Sequence, residues 1–301
     1  MYTSLNRLDE AKAVYEQALV RKLEGVHPQR YAVAFLEGDG GEMQRQQAWA
    51  MGRSGWEDSL LSMHSDTQAY AGRFMKAREL SIQAVDAAKR NDQKETAALW
   101  LLNAALREAE VGNLVQAREQ IKSALSLTST RDLQVVAALA LARTGDTVKA
   151  QTMVDELSKR WPLNTMLNGY WFPTIRAAIE LNRKQIDKAV DFVRVASTYE
   201  LGQPFPLSTL YPAYVRGEAY LKAGEGPNAV REFQKVIDHH NIVVNFVLGS
   251  LSHLQLGRAK AMSGDREGAR NAYQDFFTLW KDADPDIPIF IAAKAEYAKL
   301  Q

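Results

Sequence analysis

Apolar residues recur three and four apart along nearly the whole chain, the period of an amphipathic helix, and period-two alternation is nearly absent. The helical pattern is interrupted at regular places by a short phrase. Its clearest copy is SGDREGARNAYQDFF, Ser263 to Phe277, where Gly-Asp is followed by a small Ala five residues after the Gly and by aromatics beyond it. A helix commonly stops at a residue in the left-handed conformation, which Gly adopts without a Cβ clash. An Asp or Asn next to it caps the free N–H groups of the following helix. The phrase therefore predicts a joint between two helices. The small Ala one turn inside the second helix lets the pair approach closely, and the larger residues beyond it, such as Phe233, Tyr273 and Phe276, fill the gap to the next pair.

The joint repeats. Gly38, Gly72, Gly112, Gly145, Gly224 and Gly264 each stand five residues before Met43, Ala77, Ala117, Ala150, Ala229 and Ala269, and Asn6 and Lys184 stand in the same relation to Ala11 and Ala189. The eight anchors are 32, 34, 40, 33, 39, 40 and 40 residues apart. A period of that length is the signature of a solenoid of helical hairpins. The predicted fold is all-α: a right-handed α-α superhelix of about eight hairpins over residues 1–286, with joints near 6, 38, 72, 112, 145, 184, 224 and 264, and a C-terminal capping helix over 287–301 set off by Pro285 and Pro288. NIVVNFVLG, Asn241 to Gly249, departs from the helical period and reads as a loop entering the next helix.

The repeats resemble tetratricopeptide (TPR) repeats, whose pattern runs W-x2-L-G-x2-Y, then A-x3-F, then P. Gly217 and Tyr220 with Ala229 and Phe233 match it, as do Leu256 and Gly257 with Ala269 and Tyr273, and Pro162 supplies a closing Pro. The early large aromatic is replaced, by Ala213 and His253 at two such places, and several units run to 40 residues. Four segments, ETAALWLLNAALREAEVGN, YWFPTIRAAIELNR, TLYPAYVRGEAYL and AYQDFFTLWKDADPDIPI, are similar to the C-terminal repeat region of bacterial, notably acidobacterial, serine/threonine protein kinases. Similar regions also follow winged-helix DNA-binding domains in bacterial regulators. The Gly-rich nucleotide loop, H-R-D and D-F-G of a kinase are absent. The resemblance thus implies a docking or regulatory module, with a kinase or DNA-binding domain upstream in a parent protein, rather than a phosphotransferase. The first joint, at Asn6, leaves no room for the first helix of its pair, which fits that expectation.

Charge and composition narrow the partners. Lys plus Arg is 37 against 36 for Asp plus Glu, a net charge of +1, which argues against a dedicated nucleic-acid surface. There is no Cys, so disulfides, thiolate metal sites and Cys nucleophiles are excluded. The N-terminus has no apolar signal-peptide core and no apolar run is long enough to span a membrane, so a cytoplasmic location is expected.

Candidate chemistry is sparse. His239-His240 reads as a helix-end pair interacting with the helix dipole rather than a metal site. Asp282, Asp284 and Asp286 alternate as at the start of a calcium loop, but Ile287 stands where the Gly belongs, and the stretch reads as a solvated turn. Gly38 to Gly41 lacks the Lys-Ser/Thr of a phosphate loop and reads as a joint. No cofactor, metal or catalytic residue is expected. An all-helical toroidal enzyme, which would need a closed ring with two carboxylates on a central pocket, is the remote alternative, and a ligand-sensing domain is another.

In TPR proteins the first helix of each pair lines the concave face. Counting back from the anchors, that face is predicted to carry Met63, Tyr70, Asn103, Leu106, Trp171, Tyr211, Tyr214, Glu218 and Arg258. The set suits a protein or peptide partner, with Asn103 for hydrogen bonds to an extended backbone and Trp171, Tyr211 and Tyr214 as rigid anchors. The Lys, Arg and Asn cluster of a carboxylate-binding clamp is missing around Asn103, where Ser62, Asp66, Asp132 and Val136 stand instead. An acidic peptide tail is not expected there.

Overall fold

The structure, a computed structural model, describes residues 2–202, 206–207 and 209–300. Among them it is all-α and TPR-like. α1 (Leu8–Val20) is followed by seven hairpins: α2 (His27–Glu37) with α3 (Gly40–Ala50), α4 (Glu57–Tyr70) with α5 (Phe74–Arg90), α6 (Lys94–Val111) with α7 (Leu114–Leu127), α8 (Arg131–Arg143) with α9 (Thr147–Arg160), α10 (Phe172–Asn182) with α11 (Ile186–Ala196), α12 (Tyr211–Ala223) with α13 (Gly226–Asp238), and, after the single turn α14 (His240–Val243), α15 (Leu248–Met262) with α16 (Arg266–Leu279). α17 (Pro288–Ala298) closes the chain.

The predicted joints are the hairpin turns. The six Gly have φ between +70° and +91°, and Lys184 carries the seventh turn at φ 62°. At each, the next residue's N–H bonds a carbonyl five residues back, as in Asn113 N to Glu108 O at 2.9 Å and Asp265 N to Lys260 O at 3.0 Å. This closes the first helix and reverses the chain within one residue. Asp39, Asp146 and Asp265 accept from the N–H three residues on and cap the second helix. Asn113 does not cap; its amide donates to Glu108 instead. At the eighth joint, Asn6 (φ 56°) links a short 3-10 turn to α1, so seven complete hairpins form rather than eight. The Ala anchors are buried. Across two hairpins, a Cβ on Gly217 would lie 2.7 Å from the Phe233 ring, and one on Gly257 2.7 Å from the Tyr273 ring. The small residue on the first helix is thus the seat for the aromatic on the second.

The array closes on itself. Trp280, fully buried after α16, donates its indole N–H to Tyr70 O at 3.0 Å and packs over Gly72. Asp284 N bonds Gly72 O at 3.0 Å, and its carboxylate accepts from Met75 N at 2.7 Å. The solvated-turn reading of this stretch is corrected at Asp284, which is buried and caps a helix more than 200 residues away. The cause is local to α5: Arg73 at its N-cap offers no acceptor, so the free N–H groups there take one from across the ring. Asn245, in the segment read as a loop, donates to Met63 O at 2.7 Å and ties α4 to the other side. The described residues expose 13603 Å². A compact monomer of this mass exposes about 12,700 Å², so little inner surface is left open. No helix among the described residues is long and apolar enough to cross a membrane.

Candidate functional site

Closure decides what the inner face can do. α6, α8 and α12 meet at the centre, where Arg143 lies between two carboxylates. Its Nε and Nη2 donate to Glu110 at 2.7 and 2.5 Å, and its Nη1 and Nη2 to Glu218 at 2.6 and 2.9 Å. Tyr211 donates to Glu110 at 3.2 Å. Burial pushes the Glu110 carboxyl above its ordinary range, with Arg143 opposing. Burial also works against the Arg143 charge, but the two carboxylates outweigh it and hold the guanidinium protonated. A second chain of contacts runs outward: Gln255 donates to the Tyr214 hydroxyl at 3.2 Å, Arg258 to Gln255 at 3.3 Å and to both Glu296 oxygens at 2.8 and 2.9 Å.

The predicted concave residues are therefore brought together, but largely with one another. Tyr211, Tyr214, Glu218 and Arg258 belong to these networks. Trp171 is 1% exposed and meets Tyr170 edge-on at 4.9 Å, and Leu106 is fully buried. The open groove expected from the sequence is filled at these positions, because inner helices from non-neighbouring hairpins reach each other. Closure with two central carboxylates meets half of the geometry expected of a toroidal enzyme. The other half is missing: the Arg143 guanidinium occupies the space between Glu110 and Glu218.

Two openings border predicted residues: Met63 and Tyr70 stay partly exposed, whereas Asn103, expected to hydrogen-bond a partner's backbone, is buried and spends its amide on Asp66. A cleft of about 490 Å³ lies on the inner face of α2, α4 and α6, with Met63, Trp100 and Asn103 on one wall and Val244 and Phe246 on the other. Among the described residues, Asp66 is the one charged residue lining it. Asn103 donates to both Asp66 oxygens at 3.0 Å and Arg107 donates to one at 2.5 Å, while burial pushes the Asp66 carboxyl up. Behind the wall, Trp100 Nε1 donates to Asp58 Oδ2 at 2.9 Å. Asp58 Oδ1 and the hydroxyl of Thr209, which lines the cleft, are buried with no hydrogen-bond partner among the described residues. The second opening, about 690 Å³, lies at the seam of the ring and includes Tyr70. His239 sits at the end of α13 with Nδ1 2.9 Å from Lys235 O, a helix-terminal position. Sequence reasoning missed Glu110 and Arg143 at the centre, and the capping role of Asp284 at the seam. The one signal was a charge in a helix of mostly apolar residues, as at Arg143 of VAALALAR; Asp284, among other Asp residues, gave none.

Comparison with known proteins gives three similar structures. The chain is similar to the structure of yeast Tom70, at 11% identity and a TM-score of 0.49 over 90% of this chain and 62% of that one. It is also similar to the STAND protein with a tetratricopeptide repeat sensor, PH0952 from Pyrococcus horikoshii, at 14% identity and a TM-score of 0.47, over 88% of this chain and 43% of that one. A third similar structure is the P58(IPK) TPR domain, at 13% identity and a TM-score of 0.31, over 99% of this chain and 93% of that one. The chain thus spans less than two thirds of the first two. No family model and no curated protein matches it.

Proposed function

We propose that this chain is a non-catalytic protein-interaction scaffold that takes an extended segment of a protein partner in the inner cleft between α4, α6 and the 242–246 turn. The observation that carries this reading is the cleft itself. At Tyr211, Tyr214, Glu218 and Trp171 the inner face is occupied by the chain's own side chains, whereas here Met63 and Trp100 stand at an opening and Thr209 holds a buried hydroxyl without a partner among the described residues. An extended peptide supplies what the wall lacks: backbone N–H and C=O groups for the buried polar atoms, and side chains for the apolar pockets. Asp66, the one charged lining residue among those described, is already paired with Arg107, so the cleft offers no free charge and uncharged segments fit it best. We further propose that the module docks or regulates a bacterial signalling protein such as a serine/threonine kinase; the support is the likeness of the four segments quoted above to the repeat region that follows such kinases.

Selection from a displayed peptide library on the purified chain tests the cleft. Enriched peptides are expected to be uncharged in the segment that binds and to bind the Met63→Arg variant at least about tenfold more weakly, since it puts an unpaired cation against the apolar wall. Peptides that bind Met63→Arg as well as the wild type, or a selection that enriches none, would overturn the assignment. Truncating Trp171, Tyr211 or Tyr214 would not serve as a test, because their loss from the interior disturbs the fold itself.

A further inference from the structure

The ring closes at a seam, and along the seam lies an open pocket of about 690 Å³, within the range of small-molecule sites. One wall comes from the ends of α2 and α4 and the other from α13, α15 and α16. The lining is mainly apolar, with Phe35, Leu36 and Met43 facing Ile237, Val244 and Leu279. Two charged residues border it, Glu37 and Arg73. Glu37 is neutralised by Lys12 at 2.6 Å. Arg73 has no carboxylate partner among the described residues, and its Nε is buried without a hydrogen bond. Nε itself is covered by protein, so Arg73 meets the pocket through its other atoms, and an unpaired guanidinium is built for a carboxylate that takes two parallel bonds. The other polar groups at the pocket agree. Burial pushes the Tyr70 phenol up to about 12, so it remains an O–H donor at neutral pH. Burial pushes His253 below its ordinary value, so its ring is neutral there and adds no second fixed cation.

We propose that the seam pocket binds a hydrophobic carboxylate, with the carboxylate on Arg73 and an acyl or aryl tail between the apolar walls. One unpaired guanidinium matches a monoanion, whereas a phosphate monoester would call for more positive charge. Because the walls belong to opposite ends of the array, the ligand ties those ends together and stabilises the closed ring. This goes beyond peptide docking in the inner cleft and stands independently of it.

Calorimetric titration with decanoate, kept below its micellar concentration, tests the proposal, with decanol and decyltrimethylammonium as comparisons. Decanoate is expected to bind at least about tenfold more tightly than either, as a charge-assisted pair requires, and to raise the melting temperature. Arg73→Gln is expected to abolish the preference. Should that variant not fold, Leu36→Glu, at a partly exposed wall position, is expected to weaken decanoate by a similar factor through like charge. Equal binding of decanoate and decanol, an undiminished preference in the variant that folds, or no detectable decanoate binding would each overturn the assignment.

Discussion

Replacing Arg143 by methionine removes four charge-assisted hydrogen bonds at the centre of the ring and leaves Glu110 and Glu218 facing each other. The Glu110 side chain is 0% exposed, that of Arg143 11% and that of Glu218 18%, so water screens the remaining pair poorly. Breaking a buried pair by deleting one partner costs about 3–5 kcal/mol. At roughly 2 °C of melting temperature per kcal/mol for a chain of this size, the loss is about 6–10 °C. The pH dependence has a definite sign. With Arg143 gone, the influence that pulled the Glu110 carboxyl down is gone, and burial raises it further. A carboxyl whose folded value lies above its unfolded value of about 4.3 binds more protons when folded, so stability falls as pH rises between the two. The deficit of Arg143→Met should therefore be larger at pH 8 than at pH 5. Replacing all three residues, Glu110→Leu with Arg143→Met and Glu218→Leu, should recover most of the loss, since an apolar trio carries no desolvation penalty. Thermal and urea unfolding followed by circular dichroism read all of these. A deficit below about 1 kcal/mol, or one equal at both pH values, would refute the claim that these helices meet through a buried ion network.

The seam and the joints make separate claims. Asp284→Ala should cost about 1 kcal/mol by uncapping α5 from across the ring, and amide exchange in the first turn of α5 should rise with it. Trp280→Ala should cost about 3–5 kcal/mol, and exposure of the groove aromatics should appear as increased acrylamide quenching of the remaining Trp fluorescence. Gly257→Ala should cost about 1–3 kcal/mol in urea unfolding, because the new Cβ would lie 2.7 Å from the Tyr273 ring. Gly264→Ala has free space within 4 Å but φ +82°, so the same assay should show only the backbone cost of about 1 kcal/mol.

The hairpins were legible because each joint writes local chemistry into the chain. A positive φ needs Gly at Gly38 or Gly264, and the first free N–H groups need an acceptor such as Asp39 or Asp265, whatever the rest of the protein does. The inner face was legible as a set of residues and illegible as a surface. Tyr211, Tyr214 and Trp171 occupy the helix positions expected, but whether such residues face a partner or one another depends on how far each hairpin rotates against the next. That rotation is the sum of many side-chain contacts, and no single residue announces it. Asp284 shows the same limit. Its neighbours Pro285 and Pro288 mark a turn, but the N–H it caps belongs to Met75, and no sequence spacing relates the two. Charges inside apolar helices, such as Glu110 and Arg143, were the one available hint that the centre is filled, since a buried charge requires a partner.

The central claim is that the array closes on itself and fills most of its own groove. Small-angle X-ray scattering from the monomer in solution tests it most directly. A closed chain of 301 residues should have a radius of gyration near that of a compact domain, about 19 Å, with a single-peaked distance distribution. A value larger by roughly a fifth or more, with an extended tail of long distances, is what an open superhelix gives. That result would contradict closure and return Trp171, Tyr211 and Tyr214 to an open groove.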